Sequence, residues 1–263
     1  MKNIGSKGLT LVLIFFFIWF SLSKVNWVEI FNVKQKSSKL EQKLGELYLD
    51  IFKDKEVKNT NANLAIDSLM TKIRTSNKIE EDIKIHIVND KEVNAFALPD
   101  RHIVVFSGLI EASKNEEELS AVLCHELAHI ELNHIMKKLI SEFGLSVLVS
   151  MSTGGGNSTV IHESAKLLSS TAYDRTLEKD ADHKAIDFLV KAKINPEPFA
   201  DFLYKLSLSE PKGMEGLSWI STHPATKERA QYILKYSKNK LKKSEKVLAK
   251  GTWESMQKSL KEL

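Results

Sequence analysis

The chain has 263 residues, 43% of them hydrophobic, enough to bury one substantial core with a helical appendage at each end. Its formal charge of +4 and pI near 8.9 come mostly from lysines close to the C-terminus. No zinc-finger spacing, RNA-binding motif or aromatic-basic platform accompanies them, which excludes nucleic acid as a partner. A single cysteine excludes an internal disulfide, and no internal repeat is visible.

Lys2 and Lys7 precede an apolar run from Leu9 to Phe20, followed by Ser21-Leu22-Ser23, small residues where a signal peptidase reads. Residues 1–23 are expected to be an export signal, either cleaved or retained as an anchor; the run is shorter than the ~20 residues of a full span. Residues 24–79 are polar with helical runs, Leu40, Leu44, Leu47 and Ile51, then Leu64, Ile66, Leu69 and Ile73, which predict one or two helices. Ile83, Ile85 and Ile87 alternate with Lys84, His86 and Val88 as a half-buried strand. Ile103 to Phe106 reads as a more buried strand. Between them Asn94 to Leu98 is extended, either a hairpin arm or an open edge.

Ser113-Lys114-Asn115-Glu116 has the form of a capping box, and Leu119, Val122, Leu123, Leu127, Ile130 and Ile135 follow at helical spacing. No proline or glycine occurs from Asn115 to Phe143, so nothing is expected to break the helix across the motif that follows. It carries H-E-L-A-H at 125–129. Histidines four apart share one helical face, so both imidazoles can reach one Zn²⁺, and Glu126, one step round, is placed to take a proton from a water. The chemistry this implies is hydrolysis of a peptide bond. Cys124 faces away and reads as a small buried hydrophobe, and His134 falls near the opposite side of such a helix. A third histidine ten residues after the first would define another zinc-protease pattern, but Ile135 stands there.

Phe143 to Ser150 is apolar but too short to cross a membrane, and Met151 to Thr159, with three glycines, is expected to be a lid or a plain connection. Along Ala172 to Lys191 one broad apolar arc contains Leu177, Ala181, Ala185, Ile186, Phe188 and Leu189, and Glu178 and Asp182 fall inside it. Carboxylates there are costly unless paired or bound to metal. Glu178 is therefore the expected third ligand and Asp182 the group that holds a ligating imidazole by its other N–H; the alternative is a buried ion pair with Arg175 or Lys179. The lysines from Lys235 to Lys250 suggest a basic helical tail over 237–263, a solvated face or a surface for anionic lipid.

Four blocks carry a resemblance: N-A-F-A-L-P at Asn94 to Pro99, H-E-L-A-H, Y-D-R-x-x-E-x-x-A-D from Tyr173 to Asp182, and S-T-H-P-x-x-x-x-R from Ser221 to Arg229. As a set, covering about residues 80–235, they resemble the gluzincin zinc metallopeptidase family of HtpX and the type 1 CAAX prenyl endopeptidases, in its periplasmic single-domain branch. One departure is that the family commonly follows its N-A-F-A-x-P with two glycines, where this chain has Asp100 and Arg101. The resemblance implies an α+β, mostly α fold with a zincin-like core and a small sheet, the metallopeptidase domain running over 80–236. It implies one Zn²⁺ on His125, His129 and Glu178, with Glu126 as general base and Asn94, Ala95, Phe96 and Ala97 as the edge strand that holds substrate. His223, on a loop before Pro224, and Arg229 are expected to face the metal, His223 either stabilising the oxyanion or filling the metal's fourth position, Arg229 either assisting or pairing with Glu178 or Asp182. Unfolded or misassembled extracytoplasmic proteins are the expected substrates, with a membrane or outer-membrane assembly partner. The expected location is the periplasm, or anchored to the inner membrane facing it. The rival reading is a zinc-held binding module that grips such proteins without cutting them.

Overall fold

The computed structural model describes residues 33–58, 60–208, 219, 222–224, 227–241 and 243–262, so the expected export signal lies outside the described residues. The chain divides into two units, 1–40 and 41–263; within the first, only the opening turns of helix α1 (Val33–Asp50) are described. Everything below concerns the second unit. After a short 3₁₀ turn at Lys53–Lys55 come α2 (Thr60–Asn77), three strands, and α3 (Ser107–Ala112). The architecture is mostly helical with one small mixed sheet, and no described helix is long and apolar enough to cross a membrane.

Strands β1 (Lys84–Val88), β2 (Ala95–Leu98) and β3 (His102–Phe106) lie in the order β1-β3-β2. β1 runs parallel to β3, Ile85 opposite Ile103, while β2 is antiparallel to β3, Ala97 opposite Ile103. β2 is thus at once an outer strand of the sheet and one arm of a hairpin with β3, so both readings of Asn94 to Leu98 remain compatible with it. The β2–β3 turn holds Asp100 and Arg101 both in the left-handed region, φ +60° and +62°. Such a turn favours glycine. Here the two side chains are tied down instead, Asp100 by Lys84 Nζ at 2.6 Å and Arg101 by Glu131 at 2.6 Å.

Helix α4 (Glu116–Glu131) begins two residues later than its capping box suggested: the cap is Asn115, whose side chain accepts from Glu118 N–H at 2.9 Å. The helix is buried nearly throughout, between the sheet and α8 (Arg175–Lys191). Ala121 and Ala128 on one helix, Ala181 and Ala185 on the other, are fully buried, and side chains this small let the two axes approach closely. The helix runs unbroken across His125 to His129, as the lack of proline and glycine there implied. Asn133 adopts φ +57° and ends it, and α5 (His134–Phe143) starts at once in a new direction. Asn is the non-glycine residue that tolerates this conformation best, so a helix can stop without proline or glycine.

Two further helices, α6 (Leu145–Ser152) and α7 (Ser158–Ser170), precede α8, and the glycine-rich stretch connects them. α9 (Glu197–Leu208) and α10 (Lys227–Ser237) follow. The lysines expected on one helix face divide between the end of α10 and irregular chain, and α11 (Thr252–Lys261) packs on α2 and α3. Glu116, in the first turn of α4, accepts the backbone N–H of Val247 at 2.8 Å and of Leu248 at 3.1 Å.

Candidate metal centre

Helix α4 supplies His125, Glu126 and His129 from one face, α8 supplies Glu178 and Asp182, and the turn after Thr222 supplies His223. All are buried, the three histidines completely. One donor atom from each of His125, His129, Glu178 and His223 lies within 4.8 Å of the others. His125 Nε2 is 3.0 Å from His129 Nε2 and 3.2 Å from His223 Nδ1. Glu178 Oε1 is 2.8 Å from His223 Nδ1 and 3.4 Å from His129 Nε2.

This convergence fits a cation better than hydrogen bonds. Three ring nitrogens and a carboxylate face one point, and only one proton can sit between any facing pair. Donors at ~2.0–2.1 Å around a tetrahedral zinc would stand about 3.3 Å apart, close to the spacings observed. His223 supplies the fourth donor of the group.

The surrounding groups hold these donors in place. His125 Nδ1 faces Asp182 Oδ1 at 3.0 Å, the carboxylate support expected of Asp182. Arg229 grips both Asp182 oxygens at 2.7 Å and reaches Glu178 Oε2 at 2.8 Å. The counter-charge of the buried carboxylates is therefore Arg229, one of the partners considered from sequence; Arg175 and Lys179, the others considered, lie outside it. Burial alone would raise the Asp182 carboxyl, but Arg229 and His125 bring it down to about 2. Glu178 is likewise held well below its ordinary range, His223, Arg229 and the hydrogen bonds from His129 and His223 outweighing burial. His129 is pushed well below its ordinary value, by burial first, and so presents a neutral ring suited to ligation.

Glu126 stands apart from the donor set. Its Oε2 accepts the Ala97 N–H at 3.1 Å, its Oε1 accepts Trp219 Nε1–H at 3.2 Å, and His223 Nε2 lies 3.3 Å away. Burial pushes its carboxyl up to about 7 against the pull of His125 and of both donors. Of the edge residues only Ala97 touches the site; Ala95 and Phe96 are buried in packing, Phe96 against Phe52, and Asn94 Nδ2 donates to Ser169 O at 3.2 Å.

Sequence reasoning missed four participants. His134 Nδ1 lies 3.1 Å from His129 Nδ1, because the break at Asn133 swings it back toward the cluster; only the αL tolerance of that Asn signalled this. Tyr173 packs on His129 and stacks on His223. Lys138 lies 4.0 Å over the Tyr173 ring, and its ammonium is lowered to about 8 by burial. Trp219 precedes His223 by one helical turn, and the His223 N–H donates to Trp219 O at 2.8 Å. Cys124 is buried away from the metal donors, as expected.

A helix bearing two histidines and a non-ligating carboxylate, a third donor from a second helix and an edge strand above them define the zincin-type metallopeptidases. The chain belongs to peptidase family M48, whose model matches residues 57–237. It is 32% identical over 149 residues to the metalloprotease LoiP of Escherichia coli, covering 54% of this chain and 58% of that protein. It is 28% identical over 155 residues to the mitochondrial metalloendopeptidase OMA1 of Schizosaccharomyces pombe, covering 57% and 45%. With the beta-barrel assembly-enhancing protease of Yersinia pestis it shares 25% identity over 198 residues, 64% of this chain and 39% of that one. The chain thus spans roughly half the length of these relatives.

Proposed function

We propose that this protein is a zinc-dependent endopeptidase whose substrates are misfolded or misassembled proteins outside the cytoplasm, cut by a water that Glu126 deprotonates. The observation that carries the reading is the Glu126 carboxylate, held by Ala97 and Trp219 beside the donor cluster with its proton affinity raised to about 7. That value suits a group that takes a proton and returns it to the leaving amine at neutral pH. A zinc ion held by His125, His129 and Glu178 would make the water acidic enough to give up that proton. His223 Nδ1 stands among the donors, so we assign it a capping role, released when substrate arrives. Arg229 and Asp182 are assigned to holding Glu178 and His125 in register, and residues 94–97 to pairing with the substrate backbone. The catalytic domain is assigned to residues 80–236.

The substrate class and the extracytoplasmic setting rest on the apolar run at Leu9 to Phe20 and on the naming of bacterial relatives for beta-barrel assembly. The same observations support a periplasmic location, with an assembly partner at a membrane. The test is Glu126→Gln, which keeps shape and donors but removes the base. Cleavage of an unfolded model protein is expected to fall by several orders of magnitude with metal content unchanged. Binding of unfolded protein by the wild type without any cleavage would establish the binding module instead.

A further inference from the structure

With the donors fully buried, the way in decides what reaches them. A cavity of about 330 Å³ reaches a donor: it opens between the start of α8, Pro224 and α10, and has Glu178 in its wall. This is the small end of the ligand-pocket range, about 300–1,000 Å³, and holds one or two side chains. Its inner wall is formed by Tyr173, Tyr232 and Arg229. Arg229 is committed to Glu178 and Asp182, one cation against two anions, so it is not available to a ligand.

The rim differs. Arg175 and Lys179 are exposed, stand one turn apart on α8, and make no ion pair among the described residues; Lys179 Nζ lies 6.0 Å from the Tyr232 ring. Only Glu228, exposed on α10, stands on the opposite side of the opening. Two uncommitted cations against one anion give the mouth a positive bias, while aromatic faces line the depth.

We propose that this cavity is a specificity subsite that takes an acidic side chain of the peptide substrate, read by Arg175 and Lys179. The proposal rests on the peptidase reading of the adjoining site and names what that site prefers. Because the rim is solvated, each ion pair contributes modestly, and the pair together should alter KM by roughly 3–10-fold with little change in kcat.

The test uses the zinc-loaded full chain and C-terminally amidated fluorogenic peptides identical except for Glu, Gln or Lys at each position flanking the cut. The wild type is expected to show a KM 3–10-fold lower for Glu than for Gln at one position, and higher for Lys. Arg175→Glu/Lys179→Glu should invert that order, with zinc content and circular dichroism matching the wild type to show that the variant is folded. Glu228→Gln should widen the Glu preference. Equal KM for Glu, Gln and Lys at every position, or a charge-swapped variant that slows all three alike, would overturn the subsite and leave the peptidase reading standing. Binding of the same peptides to Glu126→Gln separates the two ideas: charge-ordered binding without wild-type cleavage would overturn the peptidase reading and uphold the subsite, and absence of both would overturn both.

Discussion

Replacing Arg229 with Met should be among the most destabilising single changes in this protein. The guanidinium makes three charge-assisted contacts of 2.7, 2.7 and 2.8 Å to Asp182 and Glu178, and all three residues are buried. Met fills much of the same volume, so the loss is mainly electrostatic: two carboxylates one turn apart are left in the interior without a counter-charge. Breaking a buried pair by removing one partner costs about 3–5 kcal/mol, and here one cation serves two anions, so the upper part of that range is expected in metal-free protein. Restoring zinc should shrink the loss, because the ion offsets Glu178 independently. The assay is urea unfolding followed by tryptophan fluorescence, with and without chelator, on Arg229→Met, Asp182→Asn and the double variant. The double variant should lose less than the sum of the singles by at least ~1 kcal/mol. A loss under ~1 kcal/mol for Arg229→Met, or strict additivity, would refute the view that Arg229 holds the two carboxylates.

Glu178→Ala should abolish stoichiometric zinc binding, checked by metal analysis after dialysis; retention of one zinc would remove Glu178 from the ligand set. His223→Ala should raise the rate on short peptides, since it clears the fourth position. A fall of roughly 10²-fold would mean instead that the ring stabilises the oxyanion. His102, hydrogen-bonded through Nδ1 to His86 at 2.8 Å, is lowered to about 4 by burial first, then by Lys84 and His86. The unfolded chain takes up that proton near 6.5 and the fold does not, so stability should drop as pH falls from about 6.5 to 4, by at most ~3 kcal/mol. His102→Gln should flatten the pH profile of urea unfolding across that window, and an unchanged slope would contradict the assignment.

The parts of this protein legible in the sequence are those fixed by local periodicity. His125 and His129 share a face because four residues make about one turn, and Glu178 and Asp182 stood out as carboxylates inside an apolar arc. The strands at Ile85 and Ile103 followed from alternation, but their parallel pairing, with β2 outside β3, depends on where the chain returns. The misses have the same origin. Placing His134 required knowing that Asn133 would turn left-handed, and deciding between Arg229, Arg175 and Lys179, all weighed as partners of the carboxylates, required the packing of α10 against α8. Trp219 and Tyr173 reach the site through tertiary contact alone, which no periodicity encodes.

The clasp between Glu116 and the backbone of Val247 and Leu248 joins positions 131 and 132 residues apart. On a ribosome the chain emerges N-terminus first, so the helix bearing the paired histidines is exposed long before its final backbone partners exist. Contacts of such sequence separation close late and slow folding. The first turn of that helix is therefore held in its final place only once nearly the whole chain has been made.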